Sequence, residues 1–274
     1  MDTQTKKGIL FDSTLCIGCG GCYQACKEKN NLPRTASHFL RDNLSANTHT
    51  VVKLRSSRFV RRMCMHCEQP ACASVCPVGA LQKTAAGPVT YDETKCMGCR
   101  YCMQACPFGV PTYEWEATLP RVRKCNLCAD RVAQGLPTAC AFVCPTGATK
   151  FGDRDAMIAE AKARLRDNPG KYVDRIYGVE EVGGTSLLLI ADVPIEQLGY
   201  RADMLKEPLP ELTWNVLQKI PKVVVAGGVL MSGVWWITNR RTAVQRAMRE
   251  ERLRKAREAQ AGEGNETDQQ TDQQ

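Results

Sequence analysis

At 274 residues the chain is long enough for one or two domains with a real core. Aromatic residues make up only 6% of it, whereas sixteen positions are cysteine, too many for a reduced cytosolic protein without metal. The formal charge of +8 is not laid out as the basic stripe with interleaved aromatics that nucleic-acid binding uses, so nucleic acid is not an expected partner.

Met1 to Lys7 is polar, and the apolar run Ile9 to Phe11 is too short for the h-region of a signal peptide. No leader is expected from this stretch, and no twin-arginine pair precedes the first cysteine motif. The cysteines then fall in four groups: Cys16, Cys19, Cys22, Cys26; Cys64, Cys67, Cys72, Cys76; Cys96, Cys99, Cys102, Cys106; and Cys125, Cys128, Cys140, Cys144. The first and third groups read C-x2-C-x2-C-x3-C, in which three closely set thiolates seat three corners of a cubane. The fourth cysteine cannot curl back and serves a second cluster. The second and fourth groups widen the middle gap but keep the opening C-x2-C and the closing C-x3-C-P. Disulfides suit an even cysteine count in an exported protein, but thiols repeated across C-x2-C loops make a chelating pattern. Structural zinc shares the C-x2-C opening and leaves unexplained the third cysteine and the proline that follows the last one.

The expected cofactors are four [4Fe-4S] clusters. Each oxidised cubane with its four thiolates carries about −2, so four of them bring the holoprotein close to neutral. The groups also record a duplication: Asp12-Ser-Thr14 to Cys26 matches Asp92-Glu-Thr94 to Cys106 at a constant offset of 80 residues. Pro70 to Ala80 similarly matches Thr138 to Ala148, so the chain reads as a doubled ferredoxin.

Gly18 and Gly98 permit the turn that aims backbone N–H groups at cluster sulfur. Short helices are expected after the third cysteines, ended by Pro77, Pro107 and Pro145. Lys27 stands where the other groups have proline, so the chain is expected to leave the first motif differently. Residues 27–63 form an insertion with Asn, Ser and His turns. Of the three histidines, His38, His49 and His66, only His66 sits inside a C-x2-C loop, where it is read as supporting the site and not as a ligand. Pro88 to Tyr91 and Ala148 to Phe151 are strand-like and predict small two-stranded sheets. Asp153 to Asp167 reads as an amphipathic helix N-capped by Asp153, and Ser186 to Ile190 as a short buried strand. Val223 to Thr238 carries no charge and as a helix spans roughly 25 Å, close to the roughly 30 Å of a bilayer core. Lys222 and Arg240 can snorkel, Trp235 and Trp236 suit the interface, and Gly228-x-x-x-Ser232 offers a small-residue face to a partner helix. Arg240 to Glu258 is a charged, solvated helix, and Gly262 to Gln274 a low-complexity tail of disordered composition.

These motifs resemble the four-cluster electron-transfer subunits of respiratory molybdopterin oxidoreductases and of periplasmic [NiFe] hydrogenases. The resemblance runs from Gly8 to about Phe151, through Cys64-Met-His-Cys67, Gly98-Cys-Arg-Tyr-Cys-Met103 and Arg121-Val-x-Lys-Cys-Asn-Leu-Cys128. Glu181-Val-Gly-Gly-Thr185 and a C-terminal helix are similar to the formate dehydrogenase subunit. The hydrogenase-associated subunit typically carries its own signal peptide, which tilts the resemblance towards the formate dehydrogenase class. The resemblance implies crossed ligation: Cys16, Cys19, Cys22 with Cys144; Cys125, Cys128, Cys140 with Cys26; Cys64, Cys67, Cys72 with Cys106; and Cys96, Cys99, Cys102 with Cys76.

The expected fold is α+β: two ferredoxin-like [4Fe-4S] dicluster domains with insertions and one C-terminal transmembrane helix. Residues 1–63 and 107–200 would form the outer domain and 64–106 the inner one. Residues 201–221 would be a linker, 222–240 the span, and 241–274 a basic helix and disordered tail. With no spare nucleophile or general-base pair, the expected role is electron transfer and no catalytic residue is assigned. The expected partners are a catalytic molybdopterin or [NiFe] subunit and a membrane cytochrome b or haem-free quinone subunit. Arg61, Arg62, Arg100, Arg123 and Lys124 flank the motifs as unranked candidates for tuning cluster potential. The excess of Arg and Lys after the span places the tail in the cytoplasm and the cluster region in the periplasm of a bacterium. Two other readings are a zinc-stabilised binding module, and a soluble subunit whose apolar helix docks on a partner.

Overall fold

From the N-terminus come β1 (Lys7–Asp12), α1 (Gly21–Lys29), β2 (Val51–Arg55), β3 (Arg58–Arg62), α2 (Ala71–Ser74), β4 (Leu81–Lys83) and β5 (Val89–Tyr91). Then follow α3 (Tyr101–Ala105), β6 (Thr112–Tyr113), β7 (Val122–Arg123), α4 (Ala129–Ala133), α5 (Ala139–Phe142) and β8 (Thr149–Asp153). The chain closes with α6 (Arg154–Asp167), β9 (Leu187–Ile190), α7 (Leu209–Leu217) and α8 (Ile220–Thr271). The computed structural model describes residues 5–34 and 39–271, with side chains as far as residue 258. His38 and the last three residues of the tail lie outside the described residues.

Proline sets the length of the cysteine-bearing helices. α2, α3 and α5 are four or five residues long and stop before Pro77, Pro107 and Pro145, because proline has no N–H to continue the ladder and its ring crowds the preceding turn. In α1, with Lys27 in that place, the helix runs on for nine residues to Lys29. Lys27 is buried, and its ammonium donates to Pro33 O (2.8 Å), Asn47 O (2.9 Å) and Thr48 Oγ1 (3.1 Å). The substitution thus lengthens the helix and pins the insertion that follows. Within that insertion β2 and β3 form an antiparallel hairpin, Val51 opposite Arg62 and Arg55 opposite Arg58. Its turn residues Ser56 and Ser57 both have positive φ (45° and 60°), the primed geometry that matches strand twist.

The run Ile9 to Phe11 forms the middle of the largest sheet, in order β8-β1-β9. β1 is antiparallel to β8 (Ile9 opposite Phe151) and parallel to β9 (Phe11 opposite Leu189). The expected two-stranded sheet here therefore gains a third strand. Side chains alternate across a strand, so Ile9 and Phe11 enter the main core while Leu10 meets Leu188, Ile190 and Ala161 beneath α6. Asp153 stands at the N-cap of α6 but makes no capping bond. Its carboxylate is taken instead by Thr5 Oγ1 at 2.9 Å and the Lys7 ammonium at 2.5 Å. The remaining sheets are two-stranded: β4–β5, which holds the expected strand at Pro88 to Tyr91, and β6–β7, which the sequence did not announce.

Residues up to Thr213 form one compact unit, and residues from Trp214 a second. In the second unit α8 starts with Pro221 in its first turn, where the missing N–H is harmless, and runs to Thr271. A helix, α7, also forms inside the segment expected as a linker. Among the described residues there is one helical stretch, Leu209–Glu258, long and apolar enough to cross a membrane, with mean hydropathy 1.6 in its most apolar window and none of that window buried. Arg240 packs over the Trp236 ring at 5.5 Å. The helical backbone also continues through most of the tail whose composition reads as disordered. Pairs such as Glu251–Lys255 (2.9 Å) lie one turn apart in the approach to it, each supporting a helix by about 0.2–0.5 kcal/mol.

Candidate metal centres

Each C-x2-C loop puts its third residue in the left-handed region. At Gly18 and Gly98 φ is +68° and +74°, and at His66 and Leu127 it is +51° and +55°. Glycine takes that conformation freely. A buried histidine or leucine held there costs on the order of 1–3 kcal/mol and persists only where the surroundings over-determine it. Four copies of one turn, two of them strained, mark the loops as built for a common ligand.

His66 is fully buried, and its Nδ1 accepts the Val89 N–H at 2.9 Å. Burial, with Lys124 and Lys83 nearby, pushes its pKa well below the usual histidine range, so the ring is neutral with its proton on Nε2. That atom is buried with no partner among the described residues. His49 lines a polar cavity with Asn30, Tyr91, Arg123 and Lys124. Burial and these two cations hold its pKa down to about 4.

The thiols gather across the chain in quartets. Cys16 lies beside Cys144 and Cys19, and Cys22 beside Cys16 and Cys144. Cys26 neighbours Cys140 and Cys128, and Cys125 neighbours Cys26 and Cys140. Cys67 neighbours Cys64, Cys106 and Cys72, while Cys102 neighbours Cys96, Cys99 and Cys76. The last four also line a common cavity. Between quartets, Cys22 neighbours Cys140, Cys125 neighbours Cys64, and Cys72 neighbours Cys102.

Polar hydrogens point at these sulfurs. Ala80 N–H donates to Cys76 Sγ at 3.2 Å, Leu127 N–H to Cys125 Sγ at 3.4 Å, Thr149 N–H to Cys144 Sγ at 3.4 Å and Asn30 Nδ2 to Cys26 Sγ at 3.6 Å. Burial, reinforced by neighbouring thiols, pushes Cys22 and Cys102 up to about 11 and Cys26 and Cys72 up to about 12. Groups so crowded and desolvated become thiolates only when a metal's positive charge compensates. Among the described residues no three Cys, His, Asp or Glu side chains converge on a single-ion position. Quartets of thiolates fit a cubane, the cofactor that the cysteine spacing calls for.

The five flanking cations have different fates. Arg123 is spent on Glu114 and Glu93, each at 2.6 Å, and Arg100 stacks over Tyr113 and Trp115. Arg62 donates to Gly199 O at 2.8 Å. Lys124 is buried against the carbonyls of Val89 and Cys125. Arg61 is buried against three thiols, those of Cys140, Cys22 and Cys125, whereas Lys124 neighbours that of Cys72. Asn30 escaped the sequence reading, although it stands one helical turn after Cys26. Thr149 lies five residues beyond Cys144 and left no comparable signal.

Two models described as a 4Fe-4S dicluster domain match the chain, over residues 15–80 and 56–154. A protein of Nitratidesulfovibrio vulgaris (strain Hildenborough) is 38% identical over 265 residues, 91% of this chain and 71% of that protein. The hydrogenase-2 operon protein HybA of Escherichia coli O157:H7 is 36% identical over 234 residues, 70% of this chain and 71% of the relative. The formate dehydrogenase-O iron-sulfur subunit of Escherichia coli (strain K12) is 36% identical over 217 residues, 70% of each.

Proposed function

This chain belongs to the 4Fe-4S dicluster family of iron–sulfur electron-transfer subunits and holds four [4Fe-4S] clusters; from that premise we propose that it wires a catalytic subunit to a redox subunit in the membrane. When bound, each cluster supplies a one-electron carrier. The protein's part is to hold, insulate and align. We assign Cys16, Cys19, Cys22 and Cys144 to the first site, Cys26, Cys125, Cys128 and Cys140 to the second, Cys64, Cys67, Cys72 and Cys106 to the third, and Cys76, Cys96, Cys99 and Cys102 to the fourth. The observation that supports a linear path is that thiols of successive quartets are electrostatic neighbours. The N–H groups of Ala80, Leu127 and Thr149 stabilise thiolate charge, and the surrounding apolar core keeps water away. Metal analysis of anaerobically purified protein is expected to give about sixteen iron atoms per chain. Four zincs in a colourless protein, or iron near eight, would remove the assignment.

The catalytic partner in this reading is a molybdopterin subunit of the formate dehydrogenase kind, and the membrane partner a cytochrome b or haem-free quinone subunit. The equal identity to HybA favours a second reading, a [NiFe] hydrogenase partner. Purification in mild detergent with mass spectrometry of the co-eluting chains distinguishes them. If the chain elutes alone and without detergent, both fail in favour of a docking helix.

The apolar part of α8 is proposed as a single span. Arg240, Arg241, Arg246, Arg249, Arg252, Arg254, Lys255 and Arg257 follow it, whereas Lys206, Lys219 and Lys222 precede it among Asp203, Glu207 and Glu211. The richer side is cytoplasmic, so the cluster unit is periplasmic in this reading. Protease added to intact spheroplasts is expected to remove the cluster unit and spare the tail. Digestion of the tail alone would reverse the topology.

A further inference from the structure

Arg61 sits on β3 with 2% of its surface exposed. Its Nε donates to Thr50 Oγ1 at 3.0 Å and its Nη1 to Thr149 Oγ1 at 3.3 Å. Thr149 in turn gives its backbone N–H to Cys144 Sγ at 3.4 Å, so the guanidinium is joined through one residue to the first quartet. The strand itself is held from behind, because the buried Tyr200 hydroxyl donates to Arg61 O at 2.5 Å. Among the described residues Arg61 forms no ion pair with a carboxylate, although Arg58 on the same strand pairs with Asp192 and most other partly buried arginines pair with acids. A buried charge without a counter-charge is strongly destabilising. The neighbours that remain are sulfurs: Cys140 and Cys125 of the second quartet and Cys22 of the first.

We propose that Arg61 is the shared counter-ion of the first two clusters, retaining both and raising their reduction potentials. The proposal rests on the four-cluster reading above. Reduction adds one electron to a cluster and takes its thiolate-ligated unit from about −2 to about −3. A fixed cation in a low-dielectric setting stabilises the more negative state, so it raises the potential. Placed between two such units, it also offsets their mutual repulsion when both are reduced. Lys124 makes an instructive contrast: it is buried too, but its ammonium is already bonded to the carbonyls of Val89 and Cys125.

The test compares the full-length chain in detergent with Arg61→Met, Arg61→Gln and Arg61→Lys, by iron analysis and by anaerobic dithionite titration with electron paramagnetic resonance readout. With iron retained, the two neutral variants are expected to show two of the four midpoints moved to more negative potential. The other two stay put, and Arg61→Lys lies close to wild type. If the neutral variants lose the iron of two clusters while Arg61→Lys keeps it, the counter-ion role stands. Full iron with all four midpoints unmoved overturns the inference and leaves the four-cluster reading intact. So does equal iron loss in Arg61→Lys, which would make shape and not charge the requirement. Wild-type protein far short of sixteen irons would instead overturn the reading itself.

Discussion

Cys76→Ser is expected to lose the cluster held by Cys96, Cys99 and Cys102, and to leave the cluster of its own sequence group, Cys64, Cys67 and Cys72, in place. Cys76 closes a C-x3-C-P motif just beyond the short helix α2, where Pro77 turns the chain away. Its sulfur shares a cavity with Cys96, Cys99 and Cys102 and is steadied by the Ala80 N–H at 3.2 Å. Serine keeps the shape but offers a hydroxyl with little tendency to ionise, so the fourth corner of that cubane is lost or labile. In the proposed linear order this is an end site, so electron flow through the chain is expected to fall to near background. Cys72→Ser is the matched comparison. Its thiol neighbours Cys64 and Cys106, so the cluster lost should be the third one. Iron content near twelve, with the missing spectroscopic signal differing between the two variants, is the expected result. Loss of one and the same signal from both would sink the crossed assignment.

The spacing of the cysteines carried most of the site, because C-x2-C and C-x3-C-P are local constraints that a linear reading sees directly. Proline endings, the different exit at Lys27, and the strands at β5 and β9 were legible for the same reason. What stayed hidden was long-range. Nothing near Phe11 announces that β9, about 175 residues later, will lie parallel beside it. Nothing around Arg61 distinguishes it from Arg62, since its acceptor Thr149 is 88 positions away in the sequence. The left-handed turns at His66 and Leu127 were also invisible. Glycine advertises positive φ, whereas a histidine or leucine is forced into it by surroundings that only the folded chain supplies.

Asp12→Ala is expected to destabilise the cluster unit by about 3–5 kcal/mol, the range for stripping one partner from a buried ion pair, while Asp92→Ala has a far smaller effect. The two aspartates are equivalent in the duplicated motif and make the same local turn: each accepts the N–H of the threonine two residues on at 3.0 Å and its hydroxyl at 2.6 Å. They differ in what covers them. Asp12 is completely buried, and its second oxygen takes the Arg164 guanidinium at 2.8 Å and the Tyr172 hydroxyl at 2.9 Å, tying β1 to α6 and to the segment beyond it. Asp92 is only half-buried and faces Lys95 at 3.3 Å, a pair that solvent largely screens. Removing Asp12 leaves Arg164 with Glu160 as its remaining acid, and leaves the Tyr172 hydroxyl without its closest acceptor. The loss should appear as an earlier guanidinium midpoint for both the helical signal and the cluster colour. Arg164→Ala should reproduce much of it, and the double variant should add less than the sum of the two. Equal midpoints for Asp12→Ala and Asp92→Ala would mean that the cover supplied by α6 contributes nothing, and that the two halves of the duplication are held by the turn alone.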